Sequence, residues 1–212
     1  MTIRHHLSEP LLMAYAAGTL PEAFGIVAAT HISMCDECRA TLAGYEAVGG
    51  AILEEAGSVA LSDECLNKVL ARLDSPEPRP AIAKHKGMLP IPLADYVGGD
   101  LSVVKWRSLG MGVKQAILAT DHLASARLLF IPAGQSVPDH GHRGIELTLV
   151  LQGAFSDSTD SFGKGDLEIA TENLQHAPVA EAGADCICLA ATDAPLRFNA
   201  LMPRLLQPLF RI

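Results

Sequence analysis

Gly134–Gly153 reads GQSVPDHGHRGIELTLVLQG, and its spacing decides how the second half of the chain folds. Five residues separate Gly134 from His140; His142 and Glu146 follow, and six more residues lead to Gly153. On an extended segment, side chains alternate between faces, so His140 and His142 share one face, and Glu146 keeps that parity. The apolar run after Glu146, closed by glycine, has the length and composition of a buried strand. His176 follows the turn-and-strand unit FGKGDLEIA and reaches the same place from a neighbouring strand. Three imidazoles and a carboxylate form a mixed nitrogen and oxygen donor set, suited to Zn²⁺ first and also to Fe²⁺, Mn²⁺ or Ni²⁺.

Working outward, ARLLFIPAG, ELTLVLQGAFS, GDLEIA and DCICLAA are short apolar segments separated by Gly, Pro or Asp. Such spacing predicts an antiparallel sandwich or barrel. Cys186 and Cys188 in DCICLAA lie two apart on a strand, and so share a face. Cysteine is commonly buried as a small apolar residue, which is the preferred reading; the alternative is a redox-sensing pair close to the metal. Trp106 is expected to pack against the sheets, while His85 and His122 read as solvated residues.

The first half has a helical pattern. Ser8 is placed to cap a helix over LSEPLLMAYAAGTL, and Pro21 suits the first turn of the next. Phe24, Val27, Ala28 and His31 share one face of that second helix. DECRATLAGYEAVGGAILEEA predicts a third helix, weakened at Gly49 and Gly50. In the fourth, LSDECLNKVLARLD, Leu66, Val69, Leu70 and Leu73 are the expected buried stripe, with Cys65 in the core. Between the halves, residues 74–92 hold five of the chain's thirteen prolines, a density that blocks helices and stiffens a linker. The sequence is thus α + β in two domains: four helices over residues 1–75, a proline-rich linker over 76–92, and an antiparallel β-barrel over 93–212.

HISMCDECR, His31–Arg39, carries a second donor set. His31 and Cys35 stand one helical turn apart, and the Cys-x-x-Cys turn lets Cys35 and Cys38 converge on one tetrahedral ion. No strand precedes the motif, which argues against a thioredoxin-like dithiol. A closed zinc site needs a fourth ligand, and His5 or His6 can supply it; spacing does not choose between them. Zinc there would clamp the N-terminal segment to the second and third helices.

Bulk properties exclude several classes. Hydrophobic residues make up 49% and charged residues 19% of 212, so the chain buries real cores. It shows no signal peptide and no apolar run of spanning length, which places it in the cytoplasm. Five cysteines, an odd number, suit a reducing compartment better than a disulfide framework. A net charge of −8 without basic clusters disfavours direct nucleic-acid binding. Residues 1–73 carry four basic against nine acidic side chains, a balance that suits a basic protein partner.

The spacing around His140, His142 and Glu146 resembles the first motif of the cupin family. Gly163, Gly165, Asp166 and His176 resemble its second motif more loosely, because the asparagine often found there is missing. HISMCDEC resembles the core of zinc-binding anti-sigma domains, in which the upstream ligand falls at the second histidine of the pair, His6. The two together resemble ChrR-type anti-sigma factors, from MTIRHHLSEP to the C-terminal LFRI. The resemblance implies a zinc site of His6, His31, Cys35 and Cys38 in a domain that holds an extracytoplasmic-function sigma factor inactive as a 1:1 heterodimer. It implies further a regulatory protein rather than an enzyme, whose cupin senses singlet oxygen or organic peroxide through His140, His142, Glu146 and His176. The competing readings are a dioxygenase-like cupin enzyme with a helical accessory domain, and a two-metal scaffold.

Overall fold

The computed structural model describes residues 2–73 and 87–198. Residues 74–86, most of the expected linker with His85 in it, and the C-terminal LFRI lie outside the described residues. Four helices precede residue 74: α1 (Glu9–Ala16), α2 (Glu22–Met34), α3 (Asp36–Glu55) and α4 (Cys65–Leu73). Ser8 stands at the start of α1 in extended conformation, yet its side chain makes no capping bond. Cys35 ends α2 and caps α3, its Sγ accepting the Cys38 N–H. Gly49 and Gly50 leave α3 unbroken. A helix that the periodicity did not predict, α5 (Ile91–Val97), begins inside the proline-rich stretch and ends at Gly98, in the left-handed conformation that favours glycine.

The strands are β1 (Arg107–Gly110), β2 (Val113–Ile117), β3 (Ser125–Ile131), β4 (His140–Gly141), β5 (Glu146–Gln152) and β6 (Ala154–Ser156). They continue as β7 (Ser161–Gly163), β8 (Leu167–Ala170), β9 (Gln175–His176), β10 (Val179–Ala180), β11 (Cys186–Thr192) and β12 (Arg197–Phe198). All pairs are antiparallel, as the strand sequences imply. They form a six-stranded sheet in the order β1-β2-β3-β11-β5-β8 and two three-stranded sheets, β10-β6-β7 and β12-β4-β9. No one sheet closes on itself among the described residues. In the smallest register, His140 of β4 sits directly opposite His176 of β9.

Helix α2 lies on β3, β11 and β5, with α5 against it. Its Ala23, Phe24, Val27 and Ala28 join Ala126, Leu128, Leu147, Leu189 and Ala191 in one core. At about 1.5–3 kcal/mol per large buried apolar side chain, that shared core ties the halves together independently of the linker. A second core between the sheets holds Phe155, Phe162, Cys186 and Cys188, and Trp106 stacks edge-on against Phe130 at 6.2 Å.

One expectation is corrected here. Leu66, Val69, Leu70 and Leu73 are 48–70% exposed, and α4 has no buried residue at all. Cys65 is only half-buried. The 3.6-residue period does mark an amphipathic helix, but among the described residues no surface covers it. No helix is long and apolar enough to cross a membrane among the described residues.

Candidate metal sites

Two separate clusters of donor side chains emerge, the second overlapping at His176 with a further group that adds Asp157 and Glu168. In the first, one donor atom each from His6, His31, Cys35 and Cys38 lies within 4.8 Å of all the others. His6 Nδ1 is 3.2 Å from Cys35 Sγ and 3.8 Å from Cys38 Sγ, and His31 Nε2 is 3.3 Å from Cys38 Sγ. Zinc bonds of about 2.3 Å to sulfur and about 2.0 Å to nitrogen, at tetrahedral angles, set N···S edges of roughly 3.5 Å. Of the paired histidines, His6 faces the thiols. His5 turns away, with Nε2 3.1 Å from an Asp160 carboxylate oxygen and its ring 4.4 Å from that of Phe162.

The His31 ring is in the protonation state a metal ligand needs. His31 is fully buried, and its Nδ1 donates to the Gly165 carbonyl at 3.0 Å, which leaves Nε2 with its lone pair toward Cys38. Burial holds its pKa down to about 4, so the ring is neutral at physiological pH. Burial pushes the Cys38 thiol up to about 11, with Cys35 beside it adding to the rise. Two thiols and two imidazoles crowded together out of water gain little from one another unless an ion takes their lone pairs. Glu37 Oε2, 3.3 Å from His6 Nε2, is placed to orient that ring.

The second cluster joins His140, His142 and His176 within the same distance limit. Pro138 O accepts from His140 Nδ1 at 2.8 Å, and Asp157 Oδ2 accepts from His176 Nδ1 at 2.6 Å. Each bond commits Nδ1 as donor and frees Nε2, and the Nε2 atoms of His142 and His176 stand 3.3 Å apart. Burial lowers His140 and His142 to about 4 each, so both rings are neutral ligand donors. His142 Nδ1, on the side of the ring away from His176, is buried without a hydrogen-bond partner.

Glu146 is not drawn into the three-histidine group; its nearest approach is Oε2 at 3.9 Å from His142 Nδ1. Burial raises its pKa to about 7, against the opposing pull of Arg127. Asp157 and Glu168, which the sequence reading did not single out, flank His176 Nδ1 at 2.6 and 3.3 Å. Burial disfavours a charged His176, yet these two carboxylates carry its pKa upward. The signal for Glu168 was available: a charged residue inside the apolar strand Leu167–Ala170. The cluster opens on a cavity of about 260 Å³, lined by Leu129, Ile131, Phe155 and Phe198, with Arg127, Glu146 and Glu168 as its charged members. Cys188 also lines it. Cys186 and Cys188 are buried with their sulfurs 3.5 Å apart, and the contact with Cys186 together with burial raises Cys188 well above the usual thiol range.

Comparison with known proteins bears on both clusters. The ChrR Cupin-like domain family matches residues 96–195. The whole chain is 64% identical over 213 aligned residues to the anti-sigma-E factor ChrR of Cereibacter sphaeroides, covering 100% of each protein. A chain in the crystal structure of Rhodobacter sphaeroides SigE in complex with the anti-sigma ChrR is 62% identical, with TM-score 0.81 over 91% of this chain and 100% of that one. An identity this high along the full length, through both donor clusters, places the chain in the ChrR family of anti-sigma factors.

Proposed function

We propose that the chain is a regulatory protein that binds an extracytoplasmic-function sigma factor 1:1 in the cytoplasm and keeps it inactive. On this reading residues 1–75 form a four-helix zinc-binding anti-sigma domain, 76–92 a linker, and 93–212 a cupin barrel that detects oxidants. The observation that carries the reading is the uncovered apolar face of the acidic helical half. Val48, Ile52 and Leu53 on α3, Val59 and Leu61 after it, and the α4 stripe are all more than 45% exposed. Exposed apolar side chains gathered in one half of the chain mark a protein-binding surface, and the related ChrR occurs in a complex with SigE. Gel filtration with light scattering on the purified pair tests the stoichiometry; a failure of the two proteins to co-elute contradicts the proposal.

Zinc in the first cluster serves structure: His6, His31, Cys35 and Cys38 would hold it closed, leaving no position for substrate. Because the Cys38 thiol is held at about 11, loading expels its proton, whereas His31 at about 4 has none to lose. The apparent zinc affinity therefore rises with pH, by about tenfold per unit for each proton released. Calorimetry in buffers of different ionisation enthalpy reads the proton count, and a pH-independent affinity contradicts the assignment.

In the second cluster, His140, His142, Glu146 and His176 would hold a divalent cation, zinc before iron, manganese or nickel, with Asp157 orienting His176. The ion would supply Lewis acidity at the cavity end. Cys188 is an oxidisable sulfur lining that cavity, as is Met111, and Cys186 would pair with Cys188 across 3.5 Å as a redox-sensing couple. Substituting His140→Ala leaves sigma-factor inhibition intact and removes release under singlet oxygen or organic peroxide. A reporter gene driven by the sigma factor measures both, and full induction in the variant contradicts the sensor role.

A further inference from the structure

The thiols and the imidazoles of the first cluster are positioned by different parts of the chain. Cys35 and Cys38 are set locally, by the junction of α2 with α3 and the bond from Cys38 N–H to Cys35 Sγ. The ring of His31, a residue of α2, and the backbone leading to His6 are held in addition from the β half, by one turn between β7 and β8. The carbonyl of Gly165 takes the Nδ1 proton of His31. Oδ1 of Asp166 accepts the backbone N–H groups of Arg4 at 2.6 Å and His5 at 3.0 Å, and Leu167 N–H donates to the His5 carbonyl at 3.2 Å. These bonds fix the backbone immediately before His6. Asp166 is 4% exposed, and its other oxygen accepts Gly163 N–H at 2.9 Å.

A carboxylate that merely closed its own turn would need only that last bond. Oδ1 instead points out of the turn at two amides of the N-terminal segment. Gly165 has φ of +89°, and a Cβ there would lie 2.7 Å from the Ile3 side chain, so the turn and the segment are fitted closely together. Beyond Asp166, β8 carries Glu168 to within 3.3 Å of His176. The turn, through Gly165, and the strand that continues it, through Glu168, thus reach the two donor clusters.

We propose that the β7–β8 turn is an outer part of the helical metal site, with Asp166 as the positioning residue that presents His6 and with Gly165 O orienting His31. The proposal rests on His6, His31, Cys35 and Cys38 holding a metal. It makes metal retention in the helical half depend on the β half, and β8 the element through which a change at His176 would reach the zinc site.

The test uses the full chain loaded with Co²⁺. Thiolate-to-cobalt charge-transfer absorption reports the first cluster alone, since the second offers no thiolate among its ligand residues. Decay of that band in excess EDTA gives the release rate. Asp166→Ala is expected to release cobalt about 10–100-fold faster, the usual effect of losing an outer-shell partner. Asp166→Asn retains an oxygen for the Arg4 and His5 amides and gives up only the Gly163 bond, so its rate falls between those of wild type and alanine. Release from Asp166→Ala at the wild-type rate overturns the proposal. If circular dichroism shows that variant unfolded, Asp166→Ser, whose short hydroxyl cannot reach both the Arg4 and His5 amides, decides the matter, and a wild-type rate there overturns the proposal equally. Absence of the charge-transfer band in the wild-type chain removes the underlying metal assignment and the proposal with it.

Discussion

Replacing Cys35 and Cys38 together by alanine abolishes the complex with the sigma factor: affinity falls by at least about three orders of magnitude, a loss above about 4 kcal/mol. The two sulfurs are 3% and 2% exposed and sit where α2 hands over to α3. Structural zinc contributes roughly 10–16 kcal/mol of apparent free energy to zinc-finger peptides, while whole domains are stable by only about 5–15 kcal/mol. On the proposed zinc assignment, removing both thiolates therefore leaves the His6 segment, α2 and α3 without the ion that would join them. The damage stops at α2, because Ala23, Phe24, Val27 and Ala28 remain packed on the sheets. The expected variant is thus folded in its β half, lacks one equivalent of zinc, and does not bind. Isothermal titration calorimetry against the sigma factor, with zinc content measured on the same sample, checks all three features. Wild-type affinity in the zinc-depleted variant would show that the clamp has no part in binding.

Local patterns carried most of the architecture. Alternation and glycine punctuation located β3, β5, β8 and β11, and the His-x-His spacing located His140 and His142. These signals are short-range, and short-range physics produces them. The choice between His5 and His6 was not local: it turns on Asp160, Asp166 and Phe162, more than 150 residues away, which draw His5 aside. Asp157 behind His176 is hidden for the same reason, since a sequence separation of 19 gives no period to read. Helix α5 was missed because prolines at 90 and 92 read as breakers, although proline is well tolerated in a first helical turn. The α4 stripe is the instructive failure. Periodicity reports that a helix has an apolar face, and it cannot report whether the cover comes from the same chain or another. Leu66, Val69, Leu70 and Leu73 stand exposed because their cover, on our reading, is the partner.

Substituting Leu70→Asp on α4 should separate binding from folding more cleanly than any ligand mutation. Leu70 is 48% exposed and makes no part of either core, so the fold loses at most about 0.5 kcal/mol, as expected of a surface position. In a complex that covers the stripe, the same carboxylate is buried against apolar surface with no cation of its own helix nearby to pair with. Lys68 and Arg72 each stand two residues away, an offset that does not face Leu70 on a helix, and Lys68 already pairs with Glu64 at 3.0 Å. Central interface positions of this kind cost about 2–4 kcal/mol when truncated, and an unpaired buried charge adds to that, so affinity should drop by roughly 100-fold or more. Zinc content and melting temperature stay at wild-type values, in contrast to the double cysteine variant. A second acidic substitution at Leu73, one turn along the stripe, should lower affinity further, whereas Asp at Met13, exposed on α1, should not. Equal affinities for wild type and Leu70→Asp would place the sigma factor elsewhere and leave the α4 stripe without an occupant.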